Sequence, residues 1–216
     1  MRRIDTVLFD LDDTLHDDTT AYRAAARAVA DVVAAEHGIE PQALVDAYEG
    51  EAMDFWSSLT TEHLALARRA ADVYVHGRAE RLELAPGSLD VLTALRARGC
   101  KLGLVTNGFA ATHHDKIDRL GLRERMDAFF IADEVGMVKP DPALFRHACD
   151  VLGSRPARTA MVGDRYARDV VGAHEAGLFT VLLDVHAIPI PDGAPKPDAV
   201  ISTIADVLGV LPLAPA

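Results

Sequence analysis

Lysine is missing altogether from residues 17 to 84, and nowhere does the chain gather Lys and Arg into a cluster that could track a nucleic-acid backbone. With a formal net charge of −11, that shortage argues against DNA or RNA as a partner, because phosphate-backbone binding relies on basic patches. Cysteine is equally scarce. Cys100 and Cys149 are the only two, far apart and without CxxC spacing, so neither a disulfide framework nor a thiolate zinc site is expected, and both read as reduced thiols. No segment approaches the roughly 18 continuous apolar residues of a membrane span. Arg2 and Arg3 precede an apolar run, but Asp5 and Asp10 interrupt it, unlike the unbroken core of a signal peptide. A cytoplasmic protein with no membrane partner is therefore expected. Internal repeats and low-complexity segments are absent, and His174-Glu175 is followed by Leu178 where a zinc-protease motif needs a second histidine.

What the chain does have is enough apolar residue, 50% of 216, to bury one substantial core plus a smaller appended unit. From Pro86 onward, helix-like and strand-like segments alternate. Leu89, Leu92 and Leu95 mark one helix, Leu102 to Val105 a strand, and a further helix runs to Leu120. Phe129 to Ala132 precedes a helix over Pro142 to Leu152, with Asp141 as cap and Pro142 at its first position. Thr159 to Val162, a helix through Ala176, Thr180 to Leu183 and Ala199 to Ile201 complete the series, with a surface loop over Ile188 to Pro197. This alternation predicts an α/β fold with a doubly wound parallel sheet. Residues 17 to 84 break the rhythm. Tyr22, Ala26, Val29 and Val33, then Leu64, Ala67, Ala71 and Tyr74, recur at helical spacing, so the expected organisation is a core of 1–16 and 85–216 with a helical insert over 17–84. Such an insert, entering and leaving beside the first strand, is expected to lie over the sheet edge as a lid.

Two strand-like runs end on acids. Ile4 to Phe9 leads into Asp10-Leu11-Asp12-Asp13-Thr14, and Thr159 to Val162 into Gly163-Asp164, with Asp169 shortly after. Short apolar runs of this kind are buried parallel strands, and ligands bind at their C-terminal edge. Asp10 and Asp12, two positions apart in extended chain, project to the same side, so one carboxylate can attack while the other handles protons. A carboxylate approaching a phosphate ester meets repulsion of roughly 4 kcal/mol per charge pair at about 4 Å and an effective dielectric near 20. A divalent cation offsets it. Mg²⁺ takes carboxylate, carbonyl and water oxygens, and Asp10 with Asp164 supplies two such ligands from two strands.

The stretches FDLDDTL, LVTNG, VKPDP and VGDRYARD, in that order, resemble the four motifs of the haloacid dehalogenase (HAD) superfamily. The likeness spans the expected core, and the insert is similar to the helical cap of the subfamily that includes phosphoglycolate and nucleotide phosphatases. It implies a Rossmann-like core and a Mg²⁺-dependent phosphatase acting on a small-molecule phosphate monoester. Asp10 would be the nucleophile that forms an aspartyl-phosphate, and Asp12 the acid that protonates the leaving group, then activates water and binds Mg²⁺ through its backbone carbonyl. Thr106 and the Asn107 amide would hold phosphate oxygens, Lys139 would neutralise their charge, and Asp164 would be a metal ligand. Asp169 has a supporting part, either water-mediated metal binding or orientation of Lys139. Dehalogenating relatives lack the second acid of the first motif, so Asp12 favours ester cleavage, and an insert without lysine argues against the Schiff-base chemistry of a phosphonate-cleaving relative.

Two rival functions stand beside this one. A phosphomutase would pass the phosphoryl group to a sugar hydroxyl and release little free phosphate, whereas a non-catalytic binding protein would show no metal-dependent turnover. Neither the substrate nor the oligomeric state is specified by the sequence. Tyr22, Arg23, Arg27, Trp56 and Arg68 are read as core aromatics or solvated arginines. His113-His114 is read as a solvated helix start, since adjacent helical positions point about 100° apart, and Asp133-Glu134 as a polar loop.

Overall fold

The computed structural model describes residues 3–37, 42, 73, 82–187 and 189–213. Backbone contacts divide the chain into two compact units, one of Met1–Asp17 with Glu83–Ala216 and one of Asp18–Leu82. The first is built on six parallel strands: β1 (Thr6–Phe9), β2 (Lys101–Thr106), β3 (Ala128–Ile131), β4 (Thr159–Gly163), β5 (Phe179–Leu183) and β6 (Ala199–Ile201), in the order β3-β2-β1-β4-β5-β6. This is the doubly wound sheet expected from the alternating pattern. Chain order reverses between β1 and β4, and a crevice opens at such a switch point, beyond the carboxyl ends of the strands.

Covered on both faces, β1 is buried at every residue, which is why it reads as a continuous apolar run rather than an alternation. Register then sets the site. Phe9 pairs with Leu104 of β2 and Val162 of β4, and the Asp10 amide donates to the Val162 carbonyl at 2.9 Å. Asp10 therefore leaves the sheet level with Gly163, one residue before Asp164, while Thr106 lies at the end of β2.

Helices cover this sheet. After α1 of the other unit (Asp18–His37), α2 (Ser88–Ala97) buries Ser88, Val91, Leu92 and Leu95. Leu89, expected on its inner face, is instead 44% exposed, because the buried stripe runs through Val91. The N-cap Gly87 has φ 89°, a left-handed conformation suited to glycine. The helix α3 covers Ala110–Arg119 and the short α4 Ala132–Val135. Asp133 and Glu134 thus lie in a helical turn rather than a loop. Asp133 accepts a hydrogen bond from the Ala110 amide at 3.1 Å, satisfying a donor at the start of α3.

In α5 (Pro142–Val151), the Asp141 carboxylate accepts from the Ala143 amide at 2.8 Å and Pro142 opens the first turn, as the cap reading predicts. Its Leu144, Phe145, Ala148 and Cys149 join Leu8, Val105, Phe130 and Met161 in one hydrophobic cluster. Burial raises the Cys149 and Cys100 thiols above their ordinary pKa, consistent with unreactive structural cysteines. Beyond β4 the chain makes a π-helical turn over Tyr166–Val170 before α6 (Val171–Ala176), and α7 (Val207–Val210) follows β6.

In the second unit, α1 buries Ala26, Val29 and Val33, with Tyr22 half-buried and Arg23 and Arg27 exposed. Arg27 pairs with Asp31 one turn away at 3.0 Å, as expected of a solvated arginine. Leu64, Ala67, Ala71, Tyr74, Trp56 and Arg68 lie outside the described residues. Among the described residues no helix is long and apolar enough to cross a membrane.

Candidate active site

The carboxyl edge of the sheet gathers Asp10, Lys139, Asp164 and Asp169. Asp10 comes from β1, Asp164 follows β4, Asp169 is turned inward by the π-helical turn, and Lys139 arrives on the loop between α4 and α5. All four are at most 6% exposed. Lys139 Nζ lies 2.7 Å from Asp10 Oδ1 and 2.7 Å from Asp169 Oδ1. The second Asp169 oxygen accepts from the Arg165 amide at 2.9 Å. Asp169 thus clamps Lys139 against Asp10.

Two glycines make that clamp possible. A Cβ on Gly163 would fall inside the Asp169 carboxylate, and a Cβ on Gly172, in α6, would collide with the Pro140 carbonyl oxygen. The Lys139 backbone is held from the other side by Asn107, whose side-chain oxygen accepts from the Lys139 amide at 2.8 Å and whose side-chain NH₂ donates to the Lys139 carbonyl at 3.0 Å. The Asn107 side chain is therefore engaged with the Lys139 backbone. Thr106, next to it, is 2% exposed.

Asp164 has its own retinue. His186 Nε2 approaches its Oδ2 at 2.7 Å, Arg165 Nε lies 2.9 Å from the same oxygen, and the Thr14 hydroxyl donates to Oδ1 at 3.4 Å. Asp13, in a left-handed conformation at φ 55°, brings its carboxylate within 3.6 Å of Arg165 and 3.7 Å of His186. None of these four neighbours was singled out from the sequence. His186 follows the end of β5, the same kind of edge position that marks Asp10 and Asp164, and that signal was available.

Burial disfavours the Lys139 ammonium, but Asp10 and Asp169 outweigh it and hold Lys139 above the ordinary lysine value. Burial, reinforced by the charge of Asp10, pushes Asp164 up to about 6 against the opposing pull of His186 and Arg165. Burial likewise raises Asp169, against the attraction of Lys139. The cluster is thus short of positive charge. Carboxylates of Asp10, Asp13, Asp164 and Asp169 face the permanent cations of Lys139 and Arg165, a deficit that a divalent ion would match. Oxygen atoms of Asp10, Asp164 and Asp169 lie within 4.8 Å of one another, and an all-oxygen donor set suits a hard cation.

Asp12 turns to a different set of partners. Lys116 Nζ lies 2.6 Å from its Oδ1, and His113 Nε2 lies 3.6 Å from its Oδ2. Both come from α3, and both are buried, at 3% and 6% exposure. The expectation of a solvated helix start is wrong for His113. Positions 113, 116, 117 and 120 fall on one helical stripe, and all four are buried. His114 keeps to the surface, where its Nε2 meets Glu134 at 2.8 Å.

The sequence matches the family model of haloacid dehalogenase-like hydrolases over residues 4–177. The chain is a member of that family. Among its curated relatives, the pyrimidine 5′-nucleotidase YjjG of Escherichia coli is 35% identical over 123 residues, 56% of this chain and 54% of the relative's length. The glyceraldehyde 3-phosphate phosphatase of Methanopyrus kandleri is 32% identical over 195 residues, covering 82% of this chain and 83% of that protein. Among solved structures, a HAD phosphatase from Thermococcus onnurineus superposes with a TM-score of 0.72 at 23% identity, over 97% of this chain and all of that one, which establishes the shared HAD fold.

Proposed function

We propose that this chain is a Mg²⁺-dependent phosphatase that hydrolyses a small phosphate monoester through an aspartyl-phosphate on Asp10. The observation that carries the reading is the Asp10–Lys139–Asp169 chain of contacts with Asp164 alongside, a buried nucleophile paired to a buried cation at the switch point of the sheet. Relatives named as a nucleotidase and as a glyceraldehyde phosphate phosphatase, both of which act on phosphate esters, support it.

The steps follow from the residues. An Asp10 carboxylate oxygen attacks phosphorus, and the bond from phosphorus to the ester oxygen breaks. That oxygen leaves as the alcohol, taking a proton from Asp12. A water then attacks the phosphorus of the acyl phosphate and gives its proton to Asp12, so inorganic phosphate departs and Asp10 is restored. Lys139 lies against Asp10 and stabilises the charge that gathers on the transferred group, with Asp169 orienting it. Thr106 and the Asn107 backbone amide, at the end of β2, hold phosphate oxygens. Asp10 and Asp164 carboxylates with the Asp12 backbone carbonyl would hold Mg²⁺, which when bound neutralises charge between nucleophile and phosphate.

Asp10→Asn is the direct test. With nitrophenyl phosphate and Mg²⁺, the wild-type chain should release nitrophenol and inorganic phosphate in equal amounts, and the variant should release neither. A folded Asp10→Asn protein with wild-type turnover would remove Asp10 as nucleophile, and phosphate retained on a second hydroxyl would replace hydrolysis by transfer.

A further inference from the structure

Lys116 is a lysine buried in a helix face, an expensive arrangement unless the charge is paired, and its Nζ meets Asp12 Oδ1 at 2.6 Å. His113 stands one turn earlier on the same face. Its Nδ1 lies 3.2 Å from the Phe109 carbonyl, and a carbonyl only accepts, so Nδ1 carries a proton and Nε2 is the nitrogen turned toward Asp12 Oδ2. Nε2 is buried without a hydrogen-bond partner among the described residues. The turn before α3 is shaped around this ring, because any Cβ on Gly108 would overlap the imidazole.

We propose that Lys116 and His113 are positioning residues for Asp12, with Lys116 anchoring Oδ1 so that Oδ2 is the oxygen that delivers the proton to the leaving group. The idea rests on the phosphatase reading above and on Asp12 as its acid. Anchoring matters because the Asp12 side chain is 31% exposed, so water competes for its oxygens. Lys116 fixes the rotamer through one oxygen, and the His113 ring walls the other.

Loss of proton delivery hurts most when the leaving oxygen is basic. An alkyl phosphate needs the proton, whereas nitrophenolate departs with little help. The experiment therefore compares kcat and KM on a series from nitrophenyl phosphate to phenyl phosphate to a simple alkyl phosphate, with Mg²⁺ saturating, for wild type, Asp12→Asn, Lys116→Met, Lys116→Arg and His113→Asn. Thermal unfolding reports folding of each. Met fills the same buried space, and Asp12 retains access to water, so Lys116→Met should fold.

General acid catalysis is worth about 10²- to 10⁴-fold, so Asp12→Asn should show a steep dependence on the leaving group. Lys116→Met should follow it in part, losing about tenfold more in kcat/KM, which reports the leaving-group step, on the alkyl ester than on the nitrophenyl ester, a fraction of the same contribution. Lys116→Arg should recover part of that selective loss, and His113→Asn should show a smaller loss of the same kind. Equal loss across the series in Lys116→Met, or none, with Asp12→Asn still steep, overturns the positioning role alone. A flat series in Asp12→Asn overturns Asp12 as the acid and the positioning role with it.

Discussion

Replacing Lys139 by methionine keeps the length of the side chain and deletes its charge from a site where the ammonium lies 2.7 Å from each of two buried carboxylates. Asp10 and Asp169, with ligating oxygens within 4.8 Å of one another, are then left facing each other. At an effective dielectric near 20 their repulsion is about 3 kcal/mol, and breaking a buried pair by removing one partner costs about 3–5 kcal/mol in all. For a chain of this size that corresponds to a fall in Tm of about 6–20 °C. The argument is tested by a double-mutant cycle in urea with EDTA present, comparing Lys139→Met, Asp169→Asn and the double variant. Asp169→Asn removes half of the stranded charge, so the double variant should be more stable than the sum of the single losses by about 1–3 kcal/mol. Additive losses, or an unchanged unfolding midpoint in Lys139→Met, would mean that the lysine is not what neutralises this cluster. The effect should persist across neutral pH. Lys139 is raised above 10.5, so its stabilisation is complete below that value and is lost only as pH rises through the still higher folded value.

Metal removal shows the same sign at lower pH. The folded pKa of Asp164 is raised from 3.8 to about 6, so its contribution to stability is fully present below 3.8 and disappears as pH rises through about 6, a loss on the order of 3 kcal/mol for the metal-free chain. Mg²⁺ binds the ionised carboxylate, and at 100 times its Kd it should restore about 2.7 kcal/mol at pH 7.5 but much less at pH 5. Thermal shifts with Mg²⁺ against EDTA at both pH values check this, and equal shifts would take Asp164 out of the metal site. Gly172→Ala and Gly163→Ala place a methyl against the Pro140 carbonyl and the Asp169 carboxylate respectively. Each should cost about 1–3 kcal/mol by overpacking and should lower turnover on nitrophenyl phosphate by displacing Lys139, whereas wild-type stability and activity in both would contradict the tight clamp.

Much of this was legible because parallel sheets write themselves plainly. A strand covered on both faces must be apolar throughout, and β1 and β4 each end where the first acid appears, so the pattern alone puts Asp10 and Asp164 at one edge. The cap at Asp141-Pro142 follows from local backbone chemistry and appears where it was expected. What failed were readings that assumed charged side chains face water. His113 and Lys116 carry polar heads, yet 113, 116, 117 and 120 form an inward stripe as regular as any built from leucine. Periodicity carried the signal, but polarity masked it. The residues around Asp164 were hidden for another reason. Thr14 and His186 meet it from the segments after β1 and β5, and only the sheet order brings those strands beside β4, while Arg165 adjoins it in sequence.

The two acids of the first motif illustrate how a fold divides labour between neighbours in sequence. Asp10 continues β1 and is level with Gly163, so it inherits the buried edge of the sheet, the company of Asp164 and Asp169, and a shortage of positive charge that favours a bound cation. Asp12, two residues later, has left the strand, and its side chain is a third exposed and faces the inner stripe of α3. Each carboxylate meets a buried lysine from a different element, Lys139 for Asp10 and Lys116 for Asp12. Each lysine favours the charged form of its own partner, and with one lysine apiece the two carboxylates are aimed independently, Asp10 at the buried edge of the sheet and Asp12 toward the stripe of α3.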